Sequence, residues 1–235
     1  MEPQILDRPE NAGLTPAGTP NPNRQRANTA LVIGGILIAL YVLSIISYYM
    51  QAELLGRIAG GNFDMSEATS NDLRVQALVF AEIAVRIVFI VVFIMWFRRA
   101  YFNLEQYGTH TRFSEGWAAG AWFVPFLNLV RPFQIMSEIW EEYTKLDQNS
   151  EEGRSSTSGS GILWLWWLIY LIGGVVTNVG SRQFDGSVQD MIGGTYAIMM
   201  GDVMYLVAIL SLMFIIKSVR DRETRLIQAT TGSIA

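Results

Sequence analysis

Cysteine is missing from all 235 positions, and histidine occurs once. The first absence excludes disulfides, thiolate zinc, cysteine-ligated iron–sulfur clusters and covalent c-type haem. The second leaves His110 alone in a polar connection, so a haem or chlorophyll held by an intramembrane imidazole is not expected. Charge is scarce too: Asp, Glu, Lys and Arg make up 16% of the chain, against 51% hydrophobic residues. That is too little charge to cover a soluble domain of this size. The net charge of −4 is spread along the connections and points to no nucleic acid. No G-x-S-x-G, phosphate-cradling glycine loop or H-E-x-x-H is present. A non-catalytic protein without a cofactor or metal is therefore expected.

What is abundant is long apolar sequence. Residues 29–50 and 161–181 contain no charge, 75–97 carries only Glu82 and Arg86, and 191–216 only Asp202. About 20 apolar residues at 1.5 Å rise cross a hydrocarbon core of roughly 30 Å. The expected fold is an all-α membrane protein with four transmembrane helices, forming one domain over 29–219. The lipid bilayer is its first partner.

Basic residues favour the cytoplasmic side, and their distribution sets the topology. With four spans, thirteen Lys and Arg fall on the side of both termini, from Arg8 to Arg225, and only Arg57, Arg74 and Arg182 on the other. Both termini are thus expected in the cytoplasm, with a bacterial inner (cytoplasmic) membrane as the location. Residues 1–28, rich in Pro, Asn, Gly and Thr, read as a disordered tail. Gly153–Gly161 reads as a flexible connection, and 220–235 as a C-terminal tail.

Gly116–Trp140 is apolar enough to resemble a fifth span. Crossing there would reduce the basic bias to about seven against eight, counted by the same rule. Pro125, Asn128, Arg131 and Pro132 also interrupt it. The spacing predicts a re-entrant or interfacial helical hairpin over 115–146, with short helices near 115–124 and 132–146. Phe133, Met136, Ile139, Trp140 and Tyr143 form an apolar stripe beside a solvated acidic face of Glu138, Glu141 and Glu142.

Three charges lie inside the spans. Glu82 and Arg86 are one turn apart, with the acid N-terminal. An ion at mid-membrane costs about 2.5–3.5 kcal/mol, and each Leu, Ile, Phe or Val returns about 0.3–0.6. The second span inserts comfortably only if its charges neutralise each other or face protein. Measured from the cytoplasmic ends, Asp202 matches Glu82 in depth, so Arg86 is expected to bridge both acids. The cluster reads either as an interhelical clamp or as an ion- or proton-sensitive site. Close helix contacts are expected at Gly35-x-x-x-Ala39, Gly173-x-x-x-Thr177, Gly174-x-x-x-Asn178 and along Gly193, Ala197 and Gly201.

The middle of the chain carries a longer signature: Trp96-x-x-Arg99-x-x-x-Asn103-Leu104, then Gly116-Trp117-x-x-Gly120-x-Trp122-Phe123-Val124-Pro125-x-x-Asn128-Leu129, then Arg131-Pro132-x-Gln134-x-Met136-x-Glu138-Ile139-Trp140. This run resembles the bacterial membrane-protein family known as domain of unknown function 4328. The resemblance extends over roughly residues 30–220. It implies a four-helix membrane domain with an ordered cytoplasmic-side element between the second and third helices. It implies no substrate, reaction or catalytic residue. In physical terms the prolines fix a turn, Asn128 bonds freed backbone groups, and Arg99 or Arg131 pairs with Glu138 to lock the element in place.

The function expected is that of an accessory or scaffold subunit of a larger membrane complex, of which a respiratory or photosynthetic assembly is a natural example. Other membrane subunits would dock through the N-terminal tail and the apolar helix faces. The alternative is a small transporter, channel or sensor using Glu82, Arg86 and Asp202. A lipid-modifying enzyme would need an acid–base pair near the hairpin, where only Glu138 and His110 offer themselves.

Overall fold

In lipid, backbone polar groups can bond only within their own segment, so long apolar runs become helices. The computed structural model describes residues 18–62, 64–148 and 160–232. Four helices are long and apolar enough to cross a membrane, making this a multi-pass membrane protein. They are α1 (Arg24–Ala59), α2 (Met65–Gln106), α5 (Ser160–Ser181) and α6 (Val188–Gly232). Between α2 and α5 come α3 (Glu115–Gly120), a 3-10 turn at Leu127–Leu129, and α4 (Arg131–Gln148). No strand occurs among the described residues.

Three helices outrun their apolar cores. At 36, 42 and 45 residues, α1, α2 and α6 reach roughly 54 to 68 Å, well beyond a bilayer's hydrocarbon. Their ends are set by local chemistry. Asp64 caps α2 by accepting from the Ser66 N–H at 2.8 Å. Ser187 and Asp190 cap α6 reciprocally, at 2.8 and 3.2 Å. Gly61 and Gly108, at φ 85° and 84°, turn the chain away after α1 and α2.

The described parts of both stretches read as tails carry helix. Residues 1–17 lie outside the described residues, but 18–28 is ordered, because α1 begins at Arg24 and the preceding strand of chain bonds to α2. The predicted C-terminal tail continues α6 as helix to Gly232. Most of the flexible Gly153–Gly161 connection lies outside the described residues.

The four long helices form an arc rather than a closed ring. α1 packs along α2 on one side and α6 on the other, and α6 packs along α5. α2 and α5, the ends of the arc, do not pack closely against each other. Elements α3 to α4 bridge them at the end of the bundle where α1 begins and α6 ends, here the cap end. There Arg220 donates to the Asn28 side chain at 2.8 Å, joining the two terminal helices.

α1 occupies the middle of the arc because one seam of it is buried along its length. Ala27, Ala30, Gly34, Leu37, Tyr41, Ser44, Tyr48 and Gln51 are all buried, alternating in steps of three and four. That is a heptad seam. It is small at the cap end and polar at the opposite, distal end.

The hairpin region differs from its sequence reading in two ways. α3 stops at Gly120, short of 124, because backbone preceding Pro125 is driven away from helix. The stripe on α4 faces protein: Ile135, Met136, Ile139 and Tyr143 have no exposed surface. Each such burial contributes about 1.5–3 kcal/mol, so α4 is a lid on the bundle. Glu138, expected on a solvated face, is buried with the stripe at 7% exposure. The outward apolar surface belongs instead to the turn, where Phe123 and Phe126 are 76% and 84% exposed. Phe126 sits at φ 64°, a rare backbone state for a bulky residue.

α5 and α6 meet through small residues. A Cβ at Gly194 would fall 2.7 Å from the Gly180 carbonyl oxygen, and one at Gly180 would meet Ala197 at 2.9 Å. Gly35, by contrast, faces open space, and its neighbour Gly34 makes the contact with Met213. Gly194→Ala should therefore destabilise the detergent-solubilised protein by about 1–3 kcal/mol through overpacking, visible as a lowered melting temperature. Gly35→Ala should leave the melting temperature unchanged or slightly raised.

Candidate functional site

Two constellations gather the polar residues of the protein. The first lies within the bundle. Glu82, 8% exposed, accepts a hydrogen bond from the Ser44 hydroxyl of α1. It also pairs with Arg86 at 3.5 Å on its own helix. The Arg86 guanidinium lies over the ring of Tyr41 at 5.7 Å and that of Tyr205 at 5.1 Å. Those rings stack with centroids 5.9 Å apart. One cation thus ties α2 to both α1 and α6 through an acid and two aromatic faces.

Asp202 belongs to the same region but not to the ion pair. It is 4% exposed, and its Oδ2 has no hydrogen-bond partner. Among the described residues the ion pair of Arg86 is with Glu82, so the expected bridge to Asp202 is not formed. Tyr205 lies one turn nearer the cap end than Asp202, and its ring holds the guanidinium there. Toward the distal end the α1 seam continues the polar contacts. Arg74 donates to the Ser47 hydroxyl at 3.0 Å and to Asn71 at 2.6 Å, and Gln51 donates to Thr195 at 3.2 Å.

The second constellation is the cap. The Asn103 side chain imitates a strand of backbone: its Oδ1 accepts from the Asn21 N–H at 2.9 Å, and its Nδ2 donates to the Asn21 carbonyl at 2.8 Å. The same Nδ2 donates to Glu223 of α6. Tyr143 of α4 divides its hydroxyl proton between Glu223 and the Ala100 carbonyl, each at 3.2 Å. Burial, and then the Glu223 carboxyl group, hold that hydroxyl well above its ordinary range, keeping it a neutral donor. Asn23 donates to the Trp96 carbonyl at 3.3 Å. Four segments converge on one buried knot.

Most signature residues occupy structural roles around this knot. Glu138 accepts from the Tyr101 hydroxyl at 2.8 Å and the Arg112 N–H at 2.7 Å, so neither Arg99 nor Arg131 is its partner. Arg131 instead lies over Phe113 at 4.1 Å and Trp117 at 5.6 Å, and Arg99 over Phe102 at 5.8 Å. Trp122 packs edge-on against Phe93, Phe97 and Trp167. Trp140 lies under Arg222 at 4.3 Å. Pro132 is buried, whereas Pro125 is exposed in the turn, where Asn128 donates its backbone N–H to the Val124 carbonyl at 3.0 Å. Arg98 pairs with Glu115 at 2.9 Å, fastening α3 to α2.

Several participants are not singled out by the sequence: Ser44, Tyr41 and Tyr205 in the first constellation, and Asn23 and Glu223 in the second, while Tyr143 is marked there only as part of the α4 stripe. The α1 residues fall on a heptad spacing that the apolar residues on its other faces obscure. Glu223 carried no comparable signal, lying among many charges near the C-terminus. His110 is exposed in a connection, and no three of the described His, Asp or Glu side chains converge as metal ligands.

Removing one member of a buried ion pair strands the other, at a cost of about 3–5 kcal/mol. Arg86→Met alone should sharply lower the melting temperature of the purified protein. Adding Glu82→Gln should recover most of that loss. Equal losses in the single and double variants would show that the pair is not coupled.

The family described as a domain of unknown function, DUF4328, matches residues 59–221, from the end of α1 into the last turns of α6. The match contains the cap signature and all three intramembrane charges, Glu82 and Arg86 on α2 and Asp202 on α6. No curated protein and no solved structure matches the chain. With more than half of its length matched, this chain belongs to the domain of unknown function 4328 family.

Proposed function

We propose that this protein is a non-catalytic accessory or scaffold subunit of a larger assembly in a bacterial inner membrane, with the cap and both termini in the cytoplasm. The observation that carries the reading is the hydrogen-bonded framework of the cap beside the exposure of its turn. Asn103, Tyr143, Glu138 and Glu223 are engaged in holding α1, α2, α4 and α6 together. Phe123 and Phe126 project from that framework with most of their surface uncovered. A fixed pair of aromatic side chains loses little entropy on docking, which suits a protein interface. The outward faces of the helices, such as Phe80, Ile87 and Met95 of α2, are apolar and suit lipid or further subunits.

A second reading, a small transporter, channel or sensor, is favoured by one observation. A cavity reaches Arg86 from the cap side of the bundle. Its walls are mostly aromatic and aliphatic, which suits an apolar ligand better than a hydrated ion.

The absence of cysteine makes orientation directly measurable. A cysteine introduced as Asn62→Cys should react with a membrane-impermeant maleimide in intact spheroplasts, and His110→Cys only after the membrane is opened. The reverse pattern would invert the topology. For the scaffold reading, the protein extracted in a mild detergent should migrate in one stoichiometric complex on native gels. The double variant Phe123→Ser/Phe126→Ser should run free of it at an unchanged melting temperature. Migration of the unaltered protein alone would shift the assignment to the transporter or sensor reading, in which Asp202→Asn should abolish activity.

A further inference from the structure

The arc of helices leaves a slot between α2 and α5, and the slot holds a cavity of about 120 Å³. For scale, an engineered apolar cavity of about 150 Å³ accepts one benzene ring. Its floor, toward the cap, is built from Trp122 against Phe93, with centroids 5.5 Å apart, and against Trp167, at 6.1 Å. Its other end is Arg86, flanked by Tyr41 and Tyr205. Ile90 and Tyr170 line it as well, each 41% exposed near the middle of its helix. At that depth the surroundings are lipid. The cavity therefore opens sideways, into the bilayer.

We propose that this cavity is a binding site for a membrane-soluble molecule with a flat six-membered ring bearing carbonyl acceptors, a compound of the quinone class, which enters between α2 and α5 and accepts a hydrogen bond from Arg86. The ring follows from the aromatic walls, which favour stacked and edge-on contacts. The enclosed 120 Å³ is less than a benzene site, so part of the ring would lie in the open gap beside Ile90 and Tyr170. The acceptor follows from Arg86. Its guanidinium carries five N–H donors, its side chain retains 37% exposure, and its one ion pair among the described residues is the 3.5 Å contact with Glu82. An anionic head is disfavoured because two buried acids, Glu82 and Asp202, already share the region with this single cation. A carbonyl oxygen takes the donor without adding charge. A cation would meet the guanidinium at the inner end of the site. The hydrocarbon tail of such a molecule would leave by the gap beside Ile90 and Tyr170. This inference is independent of whether the protein is an accessory subunit.

The test uses the full chain in lipid nanodiscs and a benzoquinone carrying a ten-carbon tail. Trp122, Trp166 and Trp167 line the cavity, so binding should quench tryptophan fluorescence saturably, at one site per chain. The same tail on a benzene ring should bind at least tenfold more weakly, because it offers Arg86 no acceptor. Arg86→Lys should weaken quinone binding about tenfold, and Ala208→Phe, which fills the cavity, should abolish it. Quenching that rises linearly with quinone in the bilayer would overturn the proposal. So would equal affinity for the benzene compound, which would make the cavity a slot for lipid chains. Should Ala208→Phe fail to fold, the two-ligand comparison on the unaltered protein decides the matter by itself.

Discussion

Glu82 enters the membrane on α2 with Arg86 one turn nearer the cap, and the interior is organised by where those two charges find partners. Ser44 of α1 supplies a donor to the acid, and Tyr41 and Tyr205 supply aromatic faces to the base. An ion left without such partners in hydrocarbon costs several kcal/mol. The partners therefore fix the rotation of α1 and α6 relative to α2. The heptad seam of α1 serves the same end: every third or fourth residue from Ala27 to Gln51 is turned inward, so α1 can touch α2 and α6 together.

That placement has a consequence for the rest of the bundle. With α1 in the middle, α5 packs closely on α6 alone among the long helices, and Gly180 and Gly194 let those two backbones approach closely. α2 and α5 are left facing each other across a slot. The cap closes one end of that slot. Trp122 fills the gap between Phe93 of α2 and Trp167 of α5, while the Trp167 indole donates to the Leu129 carbonyl at 3.0 Å. The turn and helices between α2 and α5, which lie inside the family match, are thus the part of the chain that bridges the open side, and the cavity is what remains above it.

The four spans and the interruption around Pro125 were legible because hydrocarbon length and proline geometry act locally. The position of Glu82 and Arg86 on one helix face was legible for the same reason. Partner choice was not. Asp202 matched Glu82 in depth, yet Tyr205 one turn away draws Arg86 toward the cap, and no rule of spacing reveals that competition. Glu138 was read as solvated because its neighbours Glu141 and Glu142 are acidic; the Tyr101 hydroxyl and the Arg112 backbone amide that bury it come from distant segments. The α4 stripe was equally plain in either environment, since periodicity marks an apolar face without saying whether lipid or protein covers it. The heptad of α1 was present in the sequence and is obscured by the apolar residues on every other face of that helix.

The bundle is an arc, closed between α5 and α6 and open between α2 and α5. Paired cysteines in the otherwise cysteine-free chain measure this directly in native membranes. A Cβ at Gly173 would stand 3.2 Å from that of Met204, near the separation a disulfide requires. The pair Gly173→Cys/Met204→Cys should therefore oxidise readily, and Ile90→Cys/Tyr170→Cys should stay reduced under the same conditions. Rapid disulfide formation across the Ile90 and Tyr170 positions would show a closed four-helix ring in place of the arc.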